Sequence, residues 1–404
     1  MRKGLLSIRQ LLPRAMEEED FLEERRLIEG WRGLLLQMRV TPRDESHPSI
    51  RRHITANTCL AAWFCFVSIR MGLSNLFVSP GLHHLFGNTF ANGGNCSNLM
   101  SCVACAAVAQ CMLYRLIRSS WKGDNDVMAI LESLVSSGPI DLRQRKVKMA
   151  AALYRVTVAF SRMMSGSLIG LFSGFLAVNL FFSDSWCVAC FWVFWWTQDV
   201  IFAFSYGIDF CLFPATWFLV TSDYLLDVRH SIHLTAVLDP TDADLEELLS
   251  WMSIVWRKAV RVNRFSAALL NSVTLCTTPF TCFSLFVVLF TDNIILRLVI
   301  PVTSSTIALF SCLLLAVAAD VTAASERLHD CLCDLACRSR LVSLRRQKQL
   351  LQLIECLGSE DQPLALHTMT GEKYTWLSLA QYLLETAIDF TLLISFTRYG
   401  AFVR

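Results

Sequence analysis

The sequence predicts an all-α integral membrane protein with seven transmembrane helices. Its N-terminus is expected in the cytoplasm and its C-terminus outside, with cytoplasmic helical extensions forming an anchor bundle. Three observations lead there. Hydrophobic residues make up 54% of the 404 and charged residues only 17%, against about 25% charged in a soluble domain. Seven apolar runs are long enough to cross about 30 Å of hydrocarbon, which takes roughly 20 residues each. Lys and Arg fall in alternate loops.

The runs are 54–80, 96–117, 158–182, 194–222, 266–290, 294–319 and 375–398. Arg70 lies in the first, and Arg155 and Arg162 lie about the start of the third. Both placements are read as arginines that snorkel to an interface. The fourth stretch, Cys187 to Val220, is too short for two crossings with a turn. It reads as an aromatic lead-in followed by one tilted helix. No signal peptide is expected, because the first thirty residues are charge-dense and Leu34-Leu35-Leu36 is too short for an apolar core.

Basic residues set the orientation. Residues 1–53 hold eleven, 118–148 six, 223–265 five and 321–373 seven, while 81–95, 183–186 and 291–293 hold none. The basic segments are therefore expected inside. Asn95-Cys96-Ser97 in the first outer loop fits a glycosylation acceptor, which agrees with this orientation. An inside N-terminus argues against a G-protein-coupled receptor. The expected organisation is a cytoplasmic region over 1–53, helices one to six with a ligand-binding bundle over 54–320, an anchor helix and connection over 321–373, and a pore-lining seventh helix with a short outer tail over 374–404.

The inner segments show helical periodicity. In 321–373, Leu328, Leu332, Leu335, Leu341, Leu344, Leu351, Ile354 and Leu357 recur at helical spacing. The sixth helix is expected to continue to about Leu357, where Gly358 and Pro363 break it. In 241–265, Asp242 and Asp244 open a helix carrying Leu245, Leu248, Leu249, Met252 and Val255. These stripes point to a packed inner bundle.

Most of the sixteen cysteines lie inside spans, where a thiol acts as a small hydrophobe. A bridge from Cys96 to Cys187 or Cys190 on the outer side is possible on redox grounds. The Cys331, Cys333 and Cys337 thiols lack the paired spacing of a zinc site; palmitoylation suits them better, and an unmodified helix surface better still. No metal or cofactor is expected. The eight histidines are scattered over loops, so no catalytic residue and no enzyme is expected either.

The seventh helix carries the chemistry. Gln381, Glu385 and Asp389 fall at i, i+4 and i+8 on one face. Acids inside hydrocarbon need water, a cation or a basic partner such as Arg155 or Arg162. Acidic rings build cation pores, and one helix supplies one wall, so a pore implies an oligomer. A buried polar contact between helices of one subunit is the alternative.

The stretch Pro363-Leu364-Ala365-Leu366-His367-Thr368-Met369-Thr370-Gly371-Glu372-Lys373-Tyr374, with Leu377-Ser378-Leu379 and Asp389-Phe390-Thr391-Leu392-Leu393 after it, resembles the C-terminal signature of the arthropod gustatory and odorant receptor superfamily. The gustatory branch usually carries Thr-Tyr, five mostly apolar residues and Gln-Phe in its last helix. Here Ile388-Asp389 and Ser395-Phe396 occupy those places, so only Phe396 keeps the family's residue type, as in a divergent member. The resemblance implies a plasma-membrane, tetrameric, ligand-gated non-selective cation channel in chemosensation, as homomer or heteromer. Its partners would be a small tastant or odorant, permeant cations and the bilayer, with no nucleic acid. It implies Ser395 and Phe396 at the gate, with Gln381, Glu385 and Asp389 along the conduit. It also implies a pocket in the outer half of each subunit's bundle, where Trp195, Trp196, Gln198, Asp199, Phe202 and Tyr206 are the candidate ligand contacts. A polytopic transporter or a non-channel receptor is the competing reading, although no inverted repeat is evident.

Overall fold

The computed structural model describes residues 139–237, 241–290, 294–338, 343–358, 364–368 and 371–402, together with 26, 27, 29–31, 62, 63, 66, 70 and 85. Most of the first two expected spans, Asn95 and Cys96 lie outside the described residues.

The described chain is helical apart from short connections and one isolated bridge. Its main elements are α1 (Ile140–Phe181), α2 (Trp186–Val237), α3 (Asp242–Phe290), α4 (Ile294–Arg338), α5 (Leu344–Gly358) and α6 (Trp376–Phe402). Three segments, Asp141–Phe181, Ala308–Arg338 and Trp376–Ser395, are long and apolar enough to cross a membrane. That makes the chain a multi-pass membrane protein.

Helices α1 to α4 run antiparallel in chain order. The helix expected over 241–265 is continuous with the apolar run that follows it, and the sixth helix runs past its apolar stretch as far as Arg338. The fourth apolar stretch is a single helix with its aromatic lead-in, and Pro214 sits inside it. Proline removes one intrahelical hydrogen bond, and a 52-residue helix packed on both sides tolerates that loss.

The core is densest at the end of the bundle that holds residues 139, 237, 242 and 338. Leu245, Leu248, Met252 and Val255 of α3 pack there with Val321, Leu328, Leu332 and Leu335 of α4 in one buried cluster. Both stripes read from the sequence thus face the same core. Trp31 joins it on α1, where its indole N–H donates to the Ala150 carbonyl at 3.3 Å and its ring meets Tyr154 edge-on at 5.8 Å. A Cβ on Gly30 would lie 3.1 Å from the Tyr154 ring, so any larger residue there would require the ring to give way by a few tenths of an ångström.

The sixth helix does not continue to Leu357. It ends at Arg338, and α5 folds back along it, bringing Gly358 against His329. Beyond Leu335 the same spacing falls on Ser339, Val342, Arg346 and Gln349, three of which are polar and poorly suited to an apolar core. The break resets the phase. Leu350 and Leu357 become buried, while Leu344 and Leu351 are 85% and 58% exposed, contrary to the single-helix reading. Asp242 fixes the new helix start by accepting from the Ser343 amide at 3.1 Å and its hydroxyl at 3.0 Å. Arg346 of α5 adds an ion pair to Glu246 of α3 at 2.7 Å.

Four buried charges tie α1, α2 and α3 together. Asp223 and Asp227 lie one turn apart on α2, flanked by Lys146 of α1 and Lys258 of α3. Lys146 Nζ meets Asp223 at 2.9 Å and also pairs with Asp227, while Lys258 Nζ meets Asp227 at 2.6 Å and also pairs with Asp223. Both lysines and both carboxylates are almost wholly shielded from solvent. Burial pushes the Lys258 ammonium down, but the two carboxylates and their hydrogen bonds together raise it above its ordinary value of 10.5.

Removing one member strands an opposite charge. Lys146→Met is expected to cost about 3–5 kcal/mol, with Lys146→Met/Asp223→Asn recovering much of it. Thermal unfolding of the purified protein in detergent measures both. Because the Lys258 value is raised on folding, its contribution is complete below pH 10.5 and is lost as pH climbs through the folded value. Unfolding midpoints compared below and above that pH test the sign.

Candidate functional site

Helix α6 is mostly apolar, yet within the span Trp376–Ser395 only Tyr382 is buried and most of the other side chains are exposed. It packs on α3 and α4 through few residues. Tyr382 is buried, and the Cys282 thiol donates to the Thr386 carbonyl at 3.6 Å. Elsewhere Leu377, Leu383, Leu384, Ile388 and Leu392 are exposed.

Gln381, Glu385 and Asp389 are all exposed on this helix, as the i, i+4, i+8 spacing anticipates. The Gln381 amide donates to Glu385 Oε1 at 2.9 Å, so the stripe is organised within itself. Neither Glu385 nor Asp389 forms an ion pair among the described residues. Arg155 and Arg162, named as possible partners, sit on α1, whereas α6 leans on α3 and α4. Ser395 is half-buried, its hydroxyl donating to the Thr391 carbonyl at 2.8 Å. Phe396 is helical, but its side chain lies outside the described residues.

The base of α6 is built differently. Residues 364–368 and 371–374 pair as a hairpin with an antiparallel bridge between His367 and Lys373. Gly371 closes its turn at φ +90°, a conformation that needs glycine. The Gly371 amide donates to the Thr368 carbonyl at 3.1 Å, the Thr368 amide to the Glu372 carbonyl at 2.8 Å and the Tyr374 amide to the Leu366 carbonyl at 2.9 Å. Leu364, Ala365 and Leu366 are buried. The sequence reading treated this stretch as a connection; the apolar Leu364-Ala365-Leu366 run ahead of a glycine was the available sign of a turn.

The expected ligand residues divide. Asp199 is fully buried and accepts from Arg70 at 2.9 Å. The Arg70 guanidinium also lies over the Trp195 ring at 4.3 Å from its centroid. Arg70 therefore does not snorkel to an interface, since a carboxylate and an aromatic face in the bundle satisfy it better. Trp196 donates to Ser173 of α1 at 3.3 Å, and Gln198 is half-buried. The side chains of Phe202 and Tyr206 lie outside the described residues. A groove of about 730 Å³ opens further along, at the joint between α1 and α2. Leu180, Asp184, Trp186, Cys190, Val193 and Phe194 line it, and none of the six expected contacts does so among the described residues. Cys187 and Cys190 are exposed free thiols.

The chain matches no family model and no curated protein.

Truncating Arg70 takes the ion-pair partner from a buried carboxylate, so Arg70→Ala is expected to lose up to about 3–5 kcal/mol of stability. Arg70→Lys should recover only part, because an ammonium lacks the planar face that stacks on Trp195. Chemical denaturation in detergent ranks the variants; equal midpoints for all three proteins would remove the pair from the structure's supports.

Proposed function

We propose that this protein is a chemosensory, gustatory-type receptor that works as a ligand-gated, non-selective cation channel in the plasma membrane. Seven spans with an inside N-terminus and a tetramer of identical or related subunits complete this reading. The observation that carries it is the exposed stripe of Gln381, Glu385 and Asp389 on an otherwise apolar, uncovered helix. A carboxylate facing lipid costs at least about 2.5 kcal/mol at the helix centre. Two on one face, without a basic partner from the described chain, fit a surface turned toward water and neighbouring subunits. Copies of α6 arranged about an axis would line a conduit with acidic rings and concentrate cations. Ser395 and Phe396 then stand at its outer constriction. A small organic ligand bound in the outer half of the bundle opens the conduit.

The four-residue pattern Ile388-Asp389 and Ser395-Phe396 supports the receptor resemblance at Phe396 alone, so the acidic stripe supplies the main support. The transporter reading has no comparable feature among the described residues.

Glu385→Gln with Asp389→Asn is expected to lower cation conductance severalfold and to shift relative permeability, while protein reaching the membrane stays constant. Currents from expressed protein under exchanged cations measure this. Unchanged conductance and selectivity would remove α6 from the pore. A subunit count other than four in mild detergent would remove the tetramer.

A further inference from the structure

Helix α6 touches its own subunit little along its span, so something must fix where it starts. The hairpin 364–374 is gripped through its main chain by side chains from three helices. The Tyr224 hydroxyl of α2 donates to the Leu364 carbonyl at 2.7 Å. The Ser325 hydroxyl of α4 lies 3.0 Å from the same oxygen. Asn263 of α3 brackets the next residues, its Nδ2 donating to the Ala365 carbonyl at 2.7 Å and its Oδ1 accepting from the His367 amide at 3.2 Å. On the returning strand, the Tyr374 hydroxyl donates to Asn271 Oδ1 of α3 at 3.2 Å, two residues before α6 begins at Trp376.

We propose that Asn263 is the central positioning residue of a clamp, completed by Tyr224 and Ser325, that sets the placement of α6 and couples the bundle to it. Asn263 satisfies one carbonyl and one amide of the hairpin edge, as a neighbouring strand would. Tyr224 lies between Asp223 and Asp227, so the turn of α2 locked to α1 and α3 by buried ion pairs is also the turn that holds Leu364. A movement of α2 against α1 or α3 therefore reaches the hairpin through one rigid turn. Tyr224, Ser325 and Asn263 grip backbone, so apart from the Tyr374 hydroxyl the hairpin's own residue types are not what the clamp reads. The coupling half of this inference rests on the channel reading; the positioning half does not.

The test uses the full-length protein with three variants. Asn263→Ala removes both contacts. Asn263→Asp keeps an acceptor for the His367 amide and loses the donor to Ala365. Tyr224→Phe removes one hydroxyl and keeps the packing. Amide exchange over 364–374 and the fluorine resonance of 5-fluorotryptophan at Trp376, assigned with Trp376→Phe, report the position of the α6 base without any current. Asn263→Ala is expected to speed exchange about tenfold, the equilibrium worth of one hydrogen bond, and to move the Trp376 resonance. Asn263→Asp should keep His367 protected. In recordings, Asn263→Ala and Tyr224→Phe should shift the activating ligand concentration by about tenfold with relative permeability unchanged. Wild-type exchange and an unmoved Trp376 resonance in both variants would overturn positioning. Altered exchange with unaltered activation would overturn coupling. Absence of any current from the unsubstituted protein would sink the channel reading and the coupling with it, leaving positioning to the exchange and resonance results.

Discussion

Two aspartates one turn apart on α2 set the constraint on which the polar end of the bundle depends. Asp223 and Asp227 repel each other, and two like charges in a dry core need cations beside them. Lys146 and Lys258 each reach both carboxylates, so α1 and α3 are held in one register against α2. A shift of one residue on either neighbour would carry a lysine out of reach and leave charge unpaired. Apolar packing alone tolerates such slippage more readily, because leucines are interchangeable in ways that ion pairs are not. The quartet is thus a register device first, and its net contribution to stability is smaller than its geometry implies.

From that fixed turn the rest of the polar end follows. Tyr224 points away from the ion pairs to the hairpin carbonyl, and burial raises its hydroxyl well above the usual tyrosine value, keeping it a donor. Asn263 and Ser325 complete the grip from α3 and α4. The stability of the bundle is concentrated there, whereas α6 leaves with most of its surface bare. A membrane explains bare leucines on such a helix, since lipid covers them at no cost. It does not explain bare carboxylates, and that asymmetry separates the acidic face from the other faces of α6.

Periodicity carried much of the fold. The apolar stripes of α3 and α4 appear in one core, and the long aromatic stretch is one helix, because burial selects the same face over many consecutive turns. The break after Arg338 was hidden by leucines that go on recurring through Leu341, Leu344 and Leu351; Leu344 stands nine residues after Leu335, on the opposite face of a continuous helix, and that change of phase was the available sign. Arg70 was misread for a related reason. A single span cannot reveal that Asp199, 129 positions away, supplies the counter-charge. Lys146 was legible as a basic loop residue, yet its buried role depends on helices that sequence separates widely. The hairpin was missed because its hydrogen bonds run through backbone, which residue types mark only weakly, at Gly371.

The same separation bears on what the acidic stripe means. Lys146 and Arg70 both sat in segments where charge was expected to face water or an interface, and both are instead paired with aspartates inside the bundle. This chain therefore buries charge where it has a partner to offer. Glu385 and Asp389 are the contrast. They stand within an apolar helix and are exposed to one side, with Gln381 hydrogen-bonded to the first of them rather than to a neighbouring helix. Where the fold wanted aspartates neutralised, it brought lysine or arginine within 3 Å. It brings none to α6 among the described residues, and a helix whose acids are left open in this way is suited to meeting cations that come from outside the chain.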